Sequence, residues 1–248
     1  MYDLLHILDH LRLGVKNREE ALHLSARLGF AATPWDDAAG CGWMLGHGAV
    51  SLLPGQPAGL SGITLDSPDV GAFAACLERN GTGFIRDGGR LLVPAPAAPG
   101  LALEVIASRP DFRRTPQSLN HPNGADGMLS VTLVMDNPEA LAAAYDAAFG
   151  PFAATPTDDM LTIHCRNALI YIVTPDGFDH LHPDLDMDPP EAGRLGVLSL
   201  SVRDVAQAGA CLKEQGVRCI VKQDHVTVGQ QPGIPFGLEL IGHPFSCN

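Results

Sequence analysis

The sequence predicts an α+β protein built from four copies of one unit, in which a strand and a helix are followed by a short meander of strands. Three observations predict it. Four helix starts are each followed by a glycine at nearly the same spacing, a β-rich run precedes each of these helices, and further β-rich runs follow. Self-similarity of this kind is typical of an internal duplication.

Each predicted helix begins at a residue that can cap its first turn. Asn17 and Glu20 have the spacing of a capping box, Ser67 and Asn137 each precede a proline that fits the first helical position, and Asp204 opens the fourth helix. Apolar residues then recur at helical spacing. The glycines that can end the helices in a left-handed conformation are Gly29, Gly81, Gly150 and Gly216.

The strands that precede the helices are predicted at residues 10–15, 62–66, 130–134 and 199–203. After the third helix, for example, residues 160–164 and 168–173 form two further β-rich runs. The closing runs of units two and four are nearly identical, because residues 100–106 read GLALEVI and residues 237–241 read GLELI. This repetition indicates that a half made of two units was duplicated within the chain.

Two irregular segments divide the chain. Residues 108–127 contain three prolines and little periodicity, so we predict two halves, 1–110 and 128–248, joined by a linker at 111–127. Residues 174–193 contain four prolines and are also predicted to be irregular. Loops of that length often cover a functional site.

Composition narrows the function classes. The hydrophobic fraction is 46%, the charged fraction is 18% and the formal net charge is −12, as expected of an acidic globular protein. Without a basic cluster, nucleic acid and anionic membranes are poor partners. We find no signal peptide, no membrane-spanning run and no C-x-x-C spacing among the six cysteines, so we expect a cytoplasmic protein with reduced thiols.

The segments Leu8-Asp9-His10-Leu11, Arg27-Leu28-Gly29-Phe30 and Leu103-Glu104-Val105-Ile106 together resemble the vicinal-oxygen-chelate (VOC) superfamily. His121-Pro-Asn-Gly before a new strand is similar to a branch of two-half glyoxalase-like proteins. The resemblance implies four βαβββ modules whose mixed, mainly antiparallel sheets form two half-open barrels, with the helices on their convex faces. We call the site between modules one and two the first cup, and that between modules three and four the second cup.

The resemblance also implies where a divalent metal would bind, because family members place ligands in the first and last strands of a module. The first-strand positions here are His10, Gly62, Ser130 and Ser199, and the last-strand positions are Ser51, Glu104, Tyr171 and Glu239. The first cup thus keeps His10 and Glu104. Because a zinc, nickel, iron or manganese ion normally needs a third protein ligand, His47 or His121 would have to supply it.

His10 and Glu104 are also the candidate catalytic residues without a metal. A carboxylate beside an imidazole fixes its tautomer, which suits a general base. The structural alternative is an ordinary strand histidine with a satisfied hydrogen bond. The second cup is predicted to be non-catalytic because it carries serines, and His180 and His182 are interpreted as part of a solvated acidic loop with Asp184, Asp186 and Asp188.

Three functional hypotheses follow. In the first, the chain is a glyoxalase-like lyase, isomerase or dioxygenase, with or without a metal, acting on a small oxygen-rich substrate. In the second, it is a metal-free binding or sequestering protein, as implied by the resemblance to bleomycin-resistance proteins. In the third, the second half serves only packing or the formation of a homodimer. The scaffold itself does not identify the substrate.

Overall fold

The computed structural model describes residues 6–35, 40–94, 102–108, 113–142, 145–146 and 154–243. It contains two eight-stranded mixed sheets. The strands of the first sheet are β1 Ile7–Val15, β2 Thr33–Pro34, β3 Cys41–Met44, β4 Ala49–Pro54, β5 Gly59–Ser67, β6 Ile85–Asp87, β7 Arg90–Val93 and β8 Leu103–Ala107. Those of the second are β9 Ala125–Val134, β10 Ala154–Thr157, β11 Met160–His164, β12 Leu169–Val173, β13 Leu195–Val202, β14 Ile220–Val221, β15 His225–Val228 and β16 Gly237–Gly242.

The two sheets have the same topology, and this confirms the predicted fold class. The strand orders are β2-β3-β4-β1-β5-β8-β7-β6 and β10-β11-β12-β9-β13-β16-β15-β14. In every module the first strand pairs in parallel with the last one, and the two first strands of a sheet pair antiparallel at its centre. Module one therefore shares a sheet with module two, and module three shares one with module four.

The α-helices whose bounds the structure describes are α1 Arg18–Arg27, α2 Val70–Arg79, α3 Pro175–Leu181 and α4 Val205–Glu214. Asn17 and Asp204 cap α1 and α4 as predicted. The predicted cap Ser67 is wrong by two residues, because Asp69 accepts the amide hydrogen of Ala72 at 2.8 Å. Glycines in the left-handed region follow three helices at Gly29, Gly81 and Gly216, whereas Gly150 lies outside the described residues.

Two helical segments differ from the prediction. The third module's described helical region begins with a 3₁₀ turn at Glu139–Leu141, after Asn137 and Pro138. The segment 174–193, predicted to be irregular, begins with α3, whose first turn is capped by the Thr174 side chain and has Pro175 at its start. The Thr-Pro pair is the same signal that predicted the second and third helices, and it could have predicted α3.

The apolar core is continuous between the halves. One cluster of buried side chains contains residues from both sheets, from Leu8 to Leu240. The Asn123 side chain donates to the carbonyl oxygen of Leu28, and the Asn167 side chain exchanges two hydrogen bonds with the backbone of Leu8. Strand β9 begins at Ala125, inside the segment predicted as the linker. No helix among the described residues is long and apolar enough to cross a membrane.

Candidate functional site

The strand register aligns three polar residues across the centre of the first sheet. His10 on β1 pairs with Thr64 on β5, and Thr64 pairs with Glu104 on β8. Side chains alternate along a strand, so His10 lies on the face opposite to Leu11. Gly62, assigned above to the first-strand position of module two, instead pairs with Arg12. That position is occupied by Thr64.

His10 and Glu104 are joined by a single hydroxyl group. Thr64 Oγ1 lies 3.1 Å from His10 Nε2 and 3.3 Å from Glu104 Oε2. Thr64 is fully buried, and His10 and Glu104 are each only 8% exposed. The threonine hydroxyl has one hydrogen, so it can donate to the imidazole or to the carboxylate, but not to both at once.

Two guanidinium groups hold Glu104. Arg90 Nη1 donates to Oε1 at 2.9 Å, and Arg12 Nη1 donates to Oε2 at 3.3 Å. Burial lowers the pKa of Arg12, and the neighbouring Glu104 charge partly opposes that shift. Gly62 leaves room for this arginine, because a Cβ atom at position 62 would lie 2.4 Å from Arg12 Nη2. Buried Arg12 Nε has no hydrogen-bond partner among the described residues.

An aromatic side chain packs beside His10. The ring of Trp35 meets the imidazole edge-on with 5.0 Å between centroids, and the Arg113 guanidinium lies 4.0 Å above the Trp35 ring. Trp43, the other tryptophan of the chain, is fully buried in the core and donates to the Ser25 hydroxyl. The first cup thus combines an imidazole, a carboxylate and an indole with three arginines around them.

The third ligands predicted for a metal do not join this group. His47 is exposed in a turn at the junction of the halves, where its backbone carbonyl accepts the amide hydrogen of Met128. Both ring nitrogens of His121 bond backbone groups, of Ala31 and of Met44. In the part of the chain that the structure describes, no three His, Cys, Asp or Glu side chains are grouped as a metal site would require. With Glu104 held by two cations, this donor set does not fit a divalent ion as it stands.

The second cup contains a histidine that the sequence analysis misplaced. His182 is 5% exposed rather than solvated; its Nδ1 lies 2.8 Å from Glu239 Oε1, and its Nε2 lies 2.8 Å from Thr132 Oγ1. The Ser199 hydroxyl donates to Glu239 Oε2 at 2.8 Å. Glu239 therefore has hydrogen-bond donors on both oxygens, as its partial burial requires.

The segment that carries His182 covers the second cup. Phe178 of α3 packs into a small apolar cluster with Val134, Val173 and Val197, and Leu181, Leu185 and Met187 pack against the same cluster. Both the Met187 side chain and the Leu185 side chain approach Gly237 on β16. The segment therefore lies over the second cup, and its own side chains pack into that cup.

Comparison with solved structures identifies the class of fold. The chain has the fold of the VOC superfamily, as the sequence resemblance implied. A 2,3-dioxygenase, LapB from Pseudomonas sp. KL28, superposes with a TM-score of 0.67 at 16% identity, covering 99% of this chain and 96% of that chain. The Mn(II)-bound glyoxalase from Novosphingobium aromaticivorans gives 0.61 at 16% identity, covering 96% and 82%.

A third similar structure is the 2,2',3-trihydroxybiphenyl 1,2-dioxygenase from Sphingomonas wittichii strain RW1. Its TM-score is 0.66 at 14% identity, with 96% of this chain and 91% of that chain covered. The sequence matches no protein-family model. It also matches no curated protein at a significant level. At such identities the likeness defines the fold, and the chemistry has to be argued from the site.

Proposed function

We propose that the protein is an enzyme that binds a small oxygen-rich molecule in the first cup and uses His10 to transfer a proton, as a lyase or an isomerase would. The observation that carries this proposal is the hydrogen-bonded row of His10, Thr64 and Glu104, with His10 and Glu104 at the positions that the VOC resemblance assigns to function. An imidazole is the side chain best suited to proton transfer near neutral pH.

The residues around His10 have complementary roles in such a reaction. When the Thr64 hydroxyl turns toward Glu104, the lone pair of His10 Nε2 becomes available to accept a proton from the bound molecule. Negative charge then develops on an oxygen of that molecule. Arg12, whose Nε has no partner among the described residues, can stabilise this oxyanion by a charge-assisted hydrogen bond.

A metal-free binding protein is the second candidate. It is favoured by the state of Glu104, because both oxygens of this carboxylate are already bound by Arg12 and Arg90. A carboxylate held in this way can be purely structural. The cup would then bind its ligand through Trp35 and the arginines, without turnover.

The experiment that separates the candidates is solvent exchange. The protein is incubated in D₂O with α-hydroxycarbonyl and 1,3-dicarbonyl compounds, and NMR measures deuterium at the acidic carbon. The enzyme proposal predicts incorporation that falls roughly 10²- to 10⁴-fold in His10→Ala. Ser130→Ala, at the equivalent position of the second sheet, is the matched control and should keep the rate. Compounds that bind without exchanging would instead support the binding protein.

Metal dependence is tested on the same variants. Among the neighbours, one glyoxalase is described as Mn(II)-bound, so a metal-dependent lyase or dioxygenase remains the alternative form of the enzyme proposal. The untagged protein is analysed for metals and titrated with nickel, zinc, iron(II) and manganese. A site at His10 and Glu104 would bind about one ion per chain and raise stability by on the order of 3 kcal/mol at a hundredfold excess over Kd. That increment would vanish in His10→Ala and Glu104→Ala but survive in His47→Ala if His47 is not a ligand.

We further propose that the protein acts in the cytoplasm on a small molecule, and that it forms a homodimer. The net charge of −12 supports the absence of nucleic-acid partners. Light scattering after size-exclusion chromatography measures the mass in solution, and a mass of 26.2 kDa would contradict the dimer.

A further inference from the structure

Asp9 lies beside His10 because the first strand contains a β-bulge. Leu8 pairs with Leu65 and His10 pairs with Thr64, so Asp9 is the extra residue of β1. A bulge re-aims the side chain of its extra residue. The carboxylate Oδ2 of Asp9 consequently lies 2.7 Å from His10 Nδ1, and both side chains are largely buried.

The second sheet shows that this bulge does not require an acidic residue. On β9, Ser130 pairs with Ser199 and Met128 pairs with Leu200, so Leu129 is the extra residue at the equivalent position. Leu129 is 40% exposed and precedes a serine. The framework is the same in both halves, and the carboxylate occurs where the next residue is a histidine.

The contact of Asp9 with His10 indicates where the imidazole carries its hydrogen. Among the described residues, Asp9 forms an ion pair with His10 and with no lysine or arginine. A carboxylate only accepts hydrogen bonds when ionised, so the contact requires a hydrogen on His10 Nδ1. In the neutral ring Nε2 is then the acceptor, and it is Nε2 that lies next to Thr64.

We propose that Asp9 is a positioning residue, which holds His10 in the tautomer with hydrogen on Nδ1 and with the lone pair of Nε2 directed at Thr64 and the first cup. This inference rests on the proposed function only in taking His10 as the base. The tautomer itself can be measured without any substrate. Loss of the carboxylate gives the ring access to the other tautomer, in which Nε2 carries the hydrogen and cannot accept a proton.

The test uses long-range ¹H–¹⁵N NMR of imidazole nitrogens at about pH 8.5, two units above the ordinary histidine pKa. The His10 signals are assigned as those missing from His10→Gln. The wild type should show a protonated Nδ1 and an unprotonated Nε2. Asp9→Leu, which copies the residue found at the equivalent bulge, should shift both signals toward the opposite tautomer. Asp9→Asn keeps an oxygen acceptor and should retain the wild-type pattern.

A matched control is available in the same molecule. Asp224 Oδ1 lies 2.8 Å from Nδ1 of the adjacent His225, the same sequence relation, but its side chain is exposed. Asp224→Leu should alter the His225 signals and leave those of His10 unchanged. An unaltered melting temperature and unaltered amide signals of β9 to β16 would show that Asp9→Leu is folded.

Two results would overturn the inference. One is a wild-type His10 with hydrogen on Nε2, and the other is a folded Asp9→Leu variant with unchanged His10 signals. If His10 also catalyses exchange, Asp9→Leu should slow it by at least about tenfold. A protein that exchanges no compound but shows the predicted tautomer would contradict the proposed function and leave the role of Asp9 intact.

Discussion

The first and second cups share a strand framework but obtain their histidines from different places. Across the central strands the first sheet presents His10, Thr64 and Glu104, and the second presents serines 130 and 199 with Glu239. In the second cup the imidazole comes from His182, which follows α3 and is fixed at both ring nitrogens. His10 belongs to a central strand and its ring nitrogens contact Asp9 and Thr64 of the same sheet, whereas His182 comes from the covering segment and ties that segment to the sheet.

The difference teaches that the glutamate alone does not indicate function. Glu104 and Glu239 occupy equivalent positions and each accepts two or more hydrogen bonds. The donors differ, however: arginines and a threonine surround the first, while a buried histidine and a serine surround the second. The same residue type can therefore belong to a candidate site in one half and to the core of the other.

The largest expected effect on stability, and the strongest test of the difference between the two cups, is that of removing His182. His182→Ala should lower the free energy of unfolding by about 2–4 kcal/mol, because it leaves a cavity and removes a hydrogen bond from the partly buried Glu239. His180→Ala, two residues away and exposed, should have little effect. Urea denaturation measures both. Equal urea midpoints for His182→Ala and the wild type would show that the second cup does not depend on this histidine.

A smaller expected effect is the loss of stability at low pH caused by His121, which lies at the junction of the halves. Burial lowers the pKa of His121, and repulsion from Arg203 adds to the shift. Stability from the neutral ring is fully present above the ordinary histidine pKa of about 6.5 and is lost as pH falls below it, because the unfolded chain takes up the proton first. Burial also lowers the pKa of His6, to about 4, so His6 likewise makes the protein less stable as the pH falls.

His121→Gln is the variant that tests this assignment. At pH 7.5 it should be less stable by about 1–3 kcal/mol, since the terminal amide of glutamine cannot reach Ala31 and Met44 at the same time, as the two ring nitrogens do. Between pH 7.5 and 5.5 it should lose less stability than the wild type, although His6 still contributes. A parallel decline of the two urea midpoints with pH would contradict the role of His121.

The smallest expected effect is that of removing a helix cap, and it tests how similar the two halves are. Asp69 and Asp204 cap the helices of modules two and four with the same contact, at 2.8 and 3.0 Å. Asp69→Ala and Asp204→Ala should each cost about 1 kcal/mol. Exposed Asp188→Ala is the control and should change stability by less than about 0.5 kcal/mol. Unequal costs of the two cap variants would indicate that the halves differ in more than their cups.

The fold could be predicted because its signals are local. Asn17, Asp204 and the glycines that follow their helices act within one or two turns, so the sequence displays them directly. The candidate pair His10 and Glu104 was found only through the family resemblance. The arginines at positions 12 and 90 approach Glu104 across strand pairings, and no local pattern indicates such contacts.

Thr64 and Asp9 were both missed because of one irregularity in the first sheet. The irregular pairing of β1 with β5 shifts the register, so Thr64 rather than Gly62 lies opposite His10, and Asp9 turns toward the imidazole. A one-residue irregularity of this kind is invisible in the alternation of side chains. His182 was missed for another reason: the spacing of histidines and aspartates looked solvated, and only tertiary packing brings the segment onto the sheet.

The filled second cup also has a consequence for ligand discovery. The segment that carries Phe178 and His182 fills the second cup, so an added compound does not compete for it. The protection of the backbone amides in the second sheet from hydrogen exchange should therefore not depend on the concentration of any compound. When a compound binds in the first cup, the amides of β1, β5 and β8 should exchange more slowly with deuterium. The exchange rates of β9, β13 and β16 should stay constant and can serve as a reference. Each sample would carry its own internal standard, and compounds that merely stiffen the whole protein could be told apart from true ligands within one spectrum.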